Sequence, residues 1–277
     1  MLNNNYGTNK IGIFDSGLGG LTIAEYLNKS LPTENLLYIG DTAHCPWGDK
    51  PTSQIELYTI KLTKFLIEQG CNMIVIACNT ASCVALEQIR RQFKQLQIFN
   101  VVDPVINYLT KLELPKIANI GIIGTKQTIF SNIYQTRIKK LLNTSHLDKI
   151  KTLATPLLVP LIEEGSFVGN PAANLIIEQY LSELDLADNS LLILGCTHYP
   201  LIKQHISNYY AKMNKHVMII DPNQLLAEQI TIDLQQLHTI NSNRTTNFYC
   251  TSNCKFFLQM TRQFFANLTL DFLPLWE

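Results

Sequence analysis

Short, nearly continuous apolar runs alternate along this chain with longer stretches in which apolar residues recur every three or four positions. The runs at 10–14, 36–39, 73–77, 99–102, 117–123, 190–194 and 217–220 are rich in Ile, Val and Leu, the pattern of strands covered on both faces. The amphipathic stretches at 21–30, 52–69, 81–92, 131–142 and 171–183 read as helices. Buried strands alternating with helices predict an α/β protein with doubly wound, parallel sheets.

The pattern also repeats. Ile11-Gly12-Ile13-Phe14-Asp15-Ser16-Gly17 is echoed by Ile120-Gly121-Ile122-Ile123-Gly124-Thr125. Met73-Ile74-Val75-Ile76-Ala77-Cys78-Asn79-Thr80 is echoed by Leu191-Leu192-Ile193-Leu194-Gly195-Cys196-Thr197-His198. The echoes keep their order, at offsets of about 109 and about 118 residues, as one α/β unit used twice would. Any two buried strands would produce the first echo. The second adds a cysteine at the same place, after a small residue and before groups that begin a turn. The chain is expected to cross between halves at Val101-Val102-Asp103-Pro104 and to return near 209–215. That gives two pseudo-symmetric domains, 1–103 with 212–277 carrying Cys78, and 104–211 carrying Cys196.

Composition narrows the function classes. The 277 residues are 46% hydrophobic and 16% charged with zero net charge, enough for one large or two modest domains. Nothing in that balance suits nucleic acid or an anionic membrane. No apolar run approaches the ~20 residues of a membrane helix. The opening Met1-Leu2-Asn3-Asn4-Asn5 lacks the order of a signal peptide, so a soluble, cytoplasmic protein is expected. The seven cysteines are scattered, odd in number and without Cys-x-x-Cys, which fits reduced thiols better than disulfides or redox chemistry.

Ligands of doubly wound sheets bind beyond the carboxyl ends of strands, and three motifs stand there. In Asp15-Ser16-Gly17-Leu18-Gly19-Gly20-Leu21-Thr22, Thr22 occupies the third position at which a dinucleotide loop needs glycine. The loop suits a carboxylate near a helix start instead, and Asp15 reads equally well as a turn or cap residue. The other two motifs are Cys78-Asn79-Thr80-Ala81-Ser82 and Gly195-Cys196-Thr197-His198-Tyr199-Pro200.

A cysteine after a buried strand is ordinarily a small core residue. Two of them, at matching places in facing halves, direct two thiols into one cleft. Polar neighbours and helix N-termini are expected to lower their pKa values. Opposed thiols suit inversion of a carbon centre, one taking a proton from one face while the other delivers one to the opposite face.

His198 lies two residues after Cys196, placed to orient or tune it. Glu163-Glu164-Gly165 reads as a solvated helix end. Cys45, Cys71 and Cys83 read as structural. The pairs Cys78/Cys83 and Cys250/Cys254 lack a second ligand pair at zinc spacing, so no metal is expected.

Taken together, several stretches resemble the bacterial glutamate racemases of the aspartate/glutamate racemase family. They are Gly12 through Thr22, Tyr38-Ile39-Gly40-Asp41-Thr42, Pro46-Trp47-Gly48, Ala77 through Ser82, Leu161-Ile162-Glu163-Glu164-Gly165 and Leu194 through Leu201. The resemblance implies two α/β domains with the active site between them. It implies interconversion of L- and D-glutamate without any cofactor, supplying D-glutamate for peptidoglycan.

By motif, Cys78 would handle the D-enantiomer's proton and Cys196 the L-enantiomer's, with Asp15, Glu164 and His198 assisting. Asp15, Ser16, Trp47, Gly48, Asn79, Thr80, Thr125, Thr197 and His198 would bind substrate. The implied partner is a small molecule, glutamate, with no nucleic acid or membrane, and the family commonly forms homodimers. Trp47 departs from the family's usual tyrosine, and the segment after Ile220 matches weakly. The alternatives are an aspartate or hydantoin racemase of the same layout, and a non-catalytic protein that binds a small anion.

Overall fold

The computed structural model describes residues 10–142, 148–167, 169–235, 244–252, 255–264, 270–273 and 275–276. The N-terminal pentapeptide and Cys254, which entered the sequence reading, lie outside these residues. The described strands are β1 (Lys10–Asp15), β2 (Asn35–Gly40), β3 (Met73–Ile76), β4 (Gln97–Asn100), β5 (Ile120–Gly124), β6 (Ile150–Ala154), β7 (Ser190–Gly195), β8 (Val217–Ile220), β9 (Thr246–Cys250) and β10 (Leu270–Phe272).

They form a six-stranded sheet, β10-β9-β2-β1-β3-β4, and a four-stranded sheet, β6-β5-β7-β8. Every pairing is parallel. The order β2-β1-β3-β4 of the first sheet is repeated as β6-β5-β7-β8 in the second. The duplication read from the two echoes is thus a duplication of winding. In each sheet the order of winding reverses, between β1 and β3 and between β5 and β7, and such switch points open a crevice at the strands' carboxyl ends.

The central strands β5 and β7 are buried throughout, as continuous apolar runs require. One apolar cluster joins Ile11, Ile13 and Tyr38 of the first sheet to Leu192 and Leu194 of the second, through Leu158, Ile162 and Leu226. Each such side chain contributes about 1.5–3 kcal/mol on burial, so the two units share part of their core. Among the described residues, no helix is long and apolar enough to cross a membrane.

Several elements differ from expectation for local reasons. The strand expected at 99–102 is Gln97–Asn100, because Asn100 Oδ1 accepts the backbone N–H groups of Val102 and Asp103 and turns the chain into the helix Val102–Leu109. The helix expected at 81–92 begins at Asn79 and breaks at Ala85 into Asn79–Val84 and Leu86–Gln92. The one expected at 131–142 is Ile133–Lys139, preceded by Lys126–Phe130, with left-handed Asn132 (φ 55°) between them.

The return crossing also moves. The helix Lys203–Lys212 leads into β8, which pairs with β7, so Val217–Ile220 belongs to the second sheet. The chain returns only after Ile220, not at 209–215, and its helix Pro222–Gln235 packs against Leu21–Ser30 of the first unit.

Candidate active site

The two cysteine motifs end equivalent strands. Cys78 follows β3 in extended conformation (φ −66°, ψ 120°) and its carbonyl accepts the Ser82 N–H, which starts the helix Asn79–Val84. Cys196 follows β7 and precedes a short helical turn, Tyr199–Ile202. Both side chains are almost wholly buried, at 3% and 5% exposure, yet both line the same small, tight cavity. Ser16, Pro46, Trp47, Gly48, Asn79, Thr80, Thr125, Val159, Thr197 and His198 complete its wall. The first sheet thus supplies one sulfur and the second sheet the other.

Hydrogen bonds knit the two motifs across the cavity. Asp15 ends β1, and its Oδ2 accepts the N–H groups of Gly17 and Gly20, both at 3.2 Å. Its Oδ1 accepts the Thr197 hydroxyl at 3.1 Å, from the opposite unit. The Cys78 thiol donates to Ser16 Oγ at 3.7 Å. Thr80 and Thr125 hydroxyls meet at 2.9 Å, again joining the two units. Tyr134 donates to Asn79 Oδ1 at 2.7 Å, while Asn79 Nδ2 is buried without a protein partner. A buried donor left open beside a cavity is a place for a ligand's acceptor.

The second thiol has its own partners. His198 Nδ1 lies 3.6 Å from Cys196 Sγ, and His198 Nε2 lies 2.5 Å from Glu163 Oε1. The same carboxylate oxygen accepts the Leu18 N–H at 2.9 Å. Asn223 supports this motif, its Nδ2 donating to the Thr197 carbonyl at 3.0 Å and to Thr22 Oγ1 at 2.6 Å.

Burial and pairing set the protonation states. Burial raises the Asp15 carboxyl above its ordinary range, against the opposing charge of His198. Burial pushes the Cys78 thiol up to about 12, with the Asp15 carboxylate adding to the rise. The lowered pKa expected for this thiol is therefore not found, because desolvation outweighs the helix-start N–H of Ala81 and the Ser16 hydroxyl. For His198, burial opposes the charge, but Cys196, Cys45 and Glu163 together hold its pKa well above the ordinary value. Burial likewise opposes charge on Glu163, yet the His198 hydrogen bond holds its carboxyl below the ordinary value.

The sequence model of the Asp/Glu/Hydantoin racemase family matches residues 22–230. The chain belongs to this family. The glutamate racemase of Aquifex aeolicus (strain VF5) is 37% identical over 221 residues, 80% of this chain and 82% of that protein. The glutamate racemase of Streptococcus thermophilus (strain ATCC BAA-491 / LMD-9) is 35% identical over 257 residues, 91% of each chain. The crystal structure of glutamate racemase from Francisella tularensis subsp. tularensis SCHU S4 in complex with D-glutamate superposes with a TM-score of 0.84 at 32% identity, covering 97% of this chain and 98% of that one.

Within this racemase, the cavity gathers Cys78, Cys196, Ser16, Trp47, Gly48, Asn79, Thr80, Thr125, Thr197 and His198, and Asp15 is tied to its wall through Thr197. Glu164 stands apart. It caps the helix Leu158–Glu163 and is exposed, while its neighbour Glu163 makes the contacts to His198 and Leu18. The physical reason is helical register: Glu163 follows the cavity-lining Val159 by four residues and shares its face, and Glu164 lies further round. Cys45 is not a bystander either, since its sulfur lies in a group with Glu163 and His198. Cys71 and Cys83 sit in apolar clusters, as read.

The departure at Trp47 has a structural answer. Its indole Nε1 donates to Asp41 Oδ2 at 3.0 Å, while its ring lines the cavity. The buried Asp41 also accepts from Thr251 Oγ1 and Trp276 Nε1, both at 2.7 Å, and meets His44 Nδ1 at 3.0 Å. Asp41, Glu163, Cys45 and Asn223 were not singled out from sequence as site residues. Only the Glu163 register carried a signal that the chain alone displays.

Proposed function

We propose that this chain interconverts L- and D-glutamate by proton exchange between two thiols, without a cofactor. The observation that carries the proposal is the single cavity lined by Cys78 from one sheet and Cys196 from the other. A thiolate on one face removes the α-proton, and the thiol on the other face returns one; their roles exchange in the reverse direction. Cys78 serves the D-enantiomer and Cys196 the L-enantiomer.

His198 bridges Cys196 to Glu163: held as an imidazolium by the carboxylate at Nε2, it presents its Nδ1–H to the sulfur, where it steadies a thiolate and can return the proton. On the Cys78 side the nearby carboxylate is Asp15, whose charge bears on that thiol through space. With Cys78 pushed up to about 12 in the resting site, ionisation waits for substrate, whose α-ammonium brings the compensating positive charge. Asn79 Nδ2, Ser16, Thr80, Thr125 and Thr197 are the neutral groups that receive the substrate's carboxylates. They are fixed in place before charge develops, which is how a site stabilises a carbanion-like transition state.

In this reading the chain works as two lobes, one holding residues up to 103 and those beyond 221, the other the residues between. It acts in the cytoplasm on a free amino acid, as a homodimer, and its product feeds peptidoglycan. The deciding experiment is incubation with the separate L- and D-forms of glutamate and aspartate, following optical rotation. Glutamate should lose rotation from either side. Turnover of aspartate alone would move the chain to the aspartate branch, and binding without turnover would leave a non-catalytic anion receptor.

A further inference from the structure

We propose that Cys45, Glu163 and His198 form a binding site for a soft divalent cation, Zn²⁺ above all, and that its occupancy arrests the enzyme. The three residues come from distant parts of the chain: the turn before Trp47, the end of the helix Leu158–Glu163 and the loop after β7. Their donor atoms all lie within 4.8 Å of one another. A tetrahedral zinc site with bonds of about 2.0–2.3 Å sets its donors about 3.3–3.8 Å apart, so sub-ångström to ångström side-chain shifts convert this cluster into three ligands.

The donor set selects the ion. One sulfur, one imidazole nitrogen and one carboxylate oxygen suit zinc and its borderline-soft neighbours, whereas calcium and magnesium prefer oxygen alone. Binding displaces two protons to solvent, the thiol proton of Cys45 and the Nε2 proton of His198, and leaves a fourth position open to water or a substrate group. Cys45 and Glu163 are only half-buried, which gives an ion a way in, while His198 is buried and fixed. Gly17 makes the space: a Cβ there would come within 2.9 Å of the Cys45 sulfur.

The consequence follows from His198. Its Nε2 faces Glu163, so a bound ion takes this nitrogen and the carboxylate from each other. The imidazole is then pinned with Nδ1 toward Cys196 and can no longer cycle a proton with that sulfur. The effect on turnover rests on the two-thiol reading; the binding of the ion does not.

The test titrates Co²⁺, a spectroscopic substitute for zinc, into metal-free wild type, Cys45→Ser, Glu163→Gln and Cys78→Ser, following the thiolate-to-cobalt absorption. A parallel assay measures Zn²⁺ inhibition of glutamate turnover in wild type and Cys45→Ser, each relative to its own uninhibited rate. The expected result is a thiolate-cobalt band in wild type and Cys78→Ser, and affinity and inhibition weakened by more than about tenfold in Cys45→Ser. Glu163→Gln, which leaves the sulfur in place, should weaken binding in the same direction. Unchanged binding in Cys45→Ser, or a band lost only from Cys78→Ser, overturns the site. A wild type that binds cobalt but does not racemise contradicts the two-thiol reading and leaves the site standing.

Discussion

His198 Nε2 lies 2.5 Å from Glu163 Oε1, and the other nitrogen of the same ring lies 3.6 Å from Cys196 Sγ. One imidazole therefore connects the second thiol to a carboxylate that is held by a backbone amide as well. In the proposed mechanism Glu163 acts through His198, as a positioning residue. Glu163→Gln should lower kcat for L-glutamate by about a hundredfold, within the range of a positioned proton-transfer group, with a smaller change in KM and an altered pH profile. Glu164→Gln, at an exposed position, should stay within about twofold, as surface substitutions do. Equal losses in both variants would contradict the pairing.

The same pair predicts how stability follows pH. The Glu163 carboxyl is held below its ordinary 4.5, so its contribution is complete above that pH and is lost as pH falls through the lower folded value. His198 is held well above its ordinary 6.5, so its contribution is complete below 6.5 and is lost as pH rises through the raised folded value. The stability gap between wild type and Glu163→Gln should be widest between 4.5 and 6.5. Its size there should be about 2–3 kcal/mol, under the cost of breaking a fully buried pair because Glu163 keeps some exposure. Urea unfolding across that range measures it, and a gap independent of pH would count against the pair.

Trp47 is a brace for the pocket wall, with its N–H committed to Asp41. Trp47→Phe removes one donor from a buried carboxylate and should cost about 1.5–3 kcal/mol of stability. Trp47→Tyr should not tighten glutamate binding, since the polar atom it replaces faces Asp41 and not the ligand. Thermal unfolding and KM measured on both variants check this; a markedly lower KM in Trp47→Tyr would show that the pocket needs a phenol.

At Gly19 the contact between the two units leaves no room for a side chain. A Cβ there would lie 2.6 Å from Thr197 Oγ1 and 2.8 Å from the backbone nitrogen of His198. Backbone cannot yield as a side-chain tip does, so Gly19→Ala should displace the second motif, costing about 1–3 kcal/mol and most of the activity. Wild-type turnover in this variant would mean the motif is more adaptable than its packing suggests.

What the chain displayed in advance follows from burial. Strands β1, β3, β5 and β7 are covered on both faces and so read as unbroken apolar runs, and each ends at a motif of the site. Strands β6 and β9 are partly exposed, with Lys151 and Asn247 breaking the pattern, and they escaped notice. Val217–Ile220 was legible as a strand, but its sheet was not, because membership is decided by a hydrogen-bonded neighbour and not by its own residues. The thiol pKa was misjudged for a related reason. Cys78 has the expected polar neighbours, yet the depth at which they sit is a property of the whole fold. Cys45 met Glu163 and His198 only through tertiary folding, across separations no local pattern records.

Two sulfur groups share one cavity, and proton exchange at the α-carbon in D₂O tests their joint action most directly. Wild type, Cys78→Ser and Cys196→Ser are each incubated with L-glutamate and, separately, with D-glutamate, following deuterium at Cα and optical rotation together. Wild type should incorporate solvent deuterium as it racemises from either side, and each serine variant should lose racemisation by about a thousandfold or more. Ordinary racemisation in either variant, or interconversion by wild type with no deuterium gained, would contradict the two-thiol account.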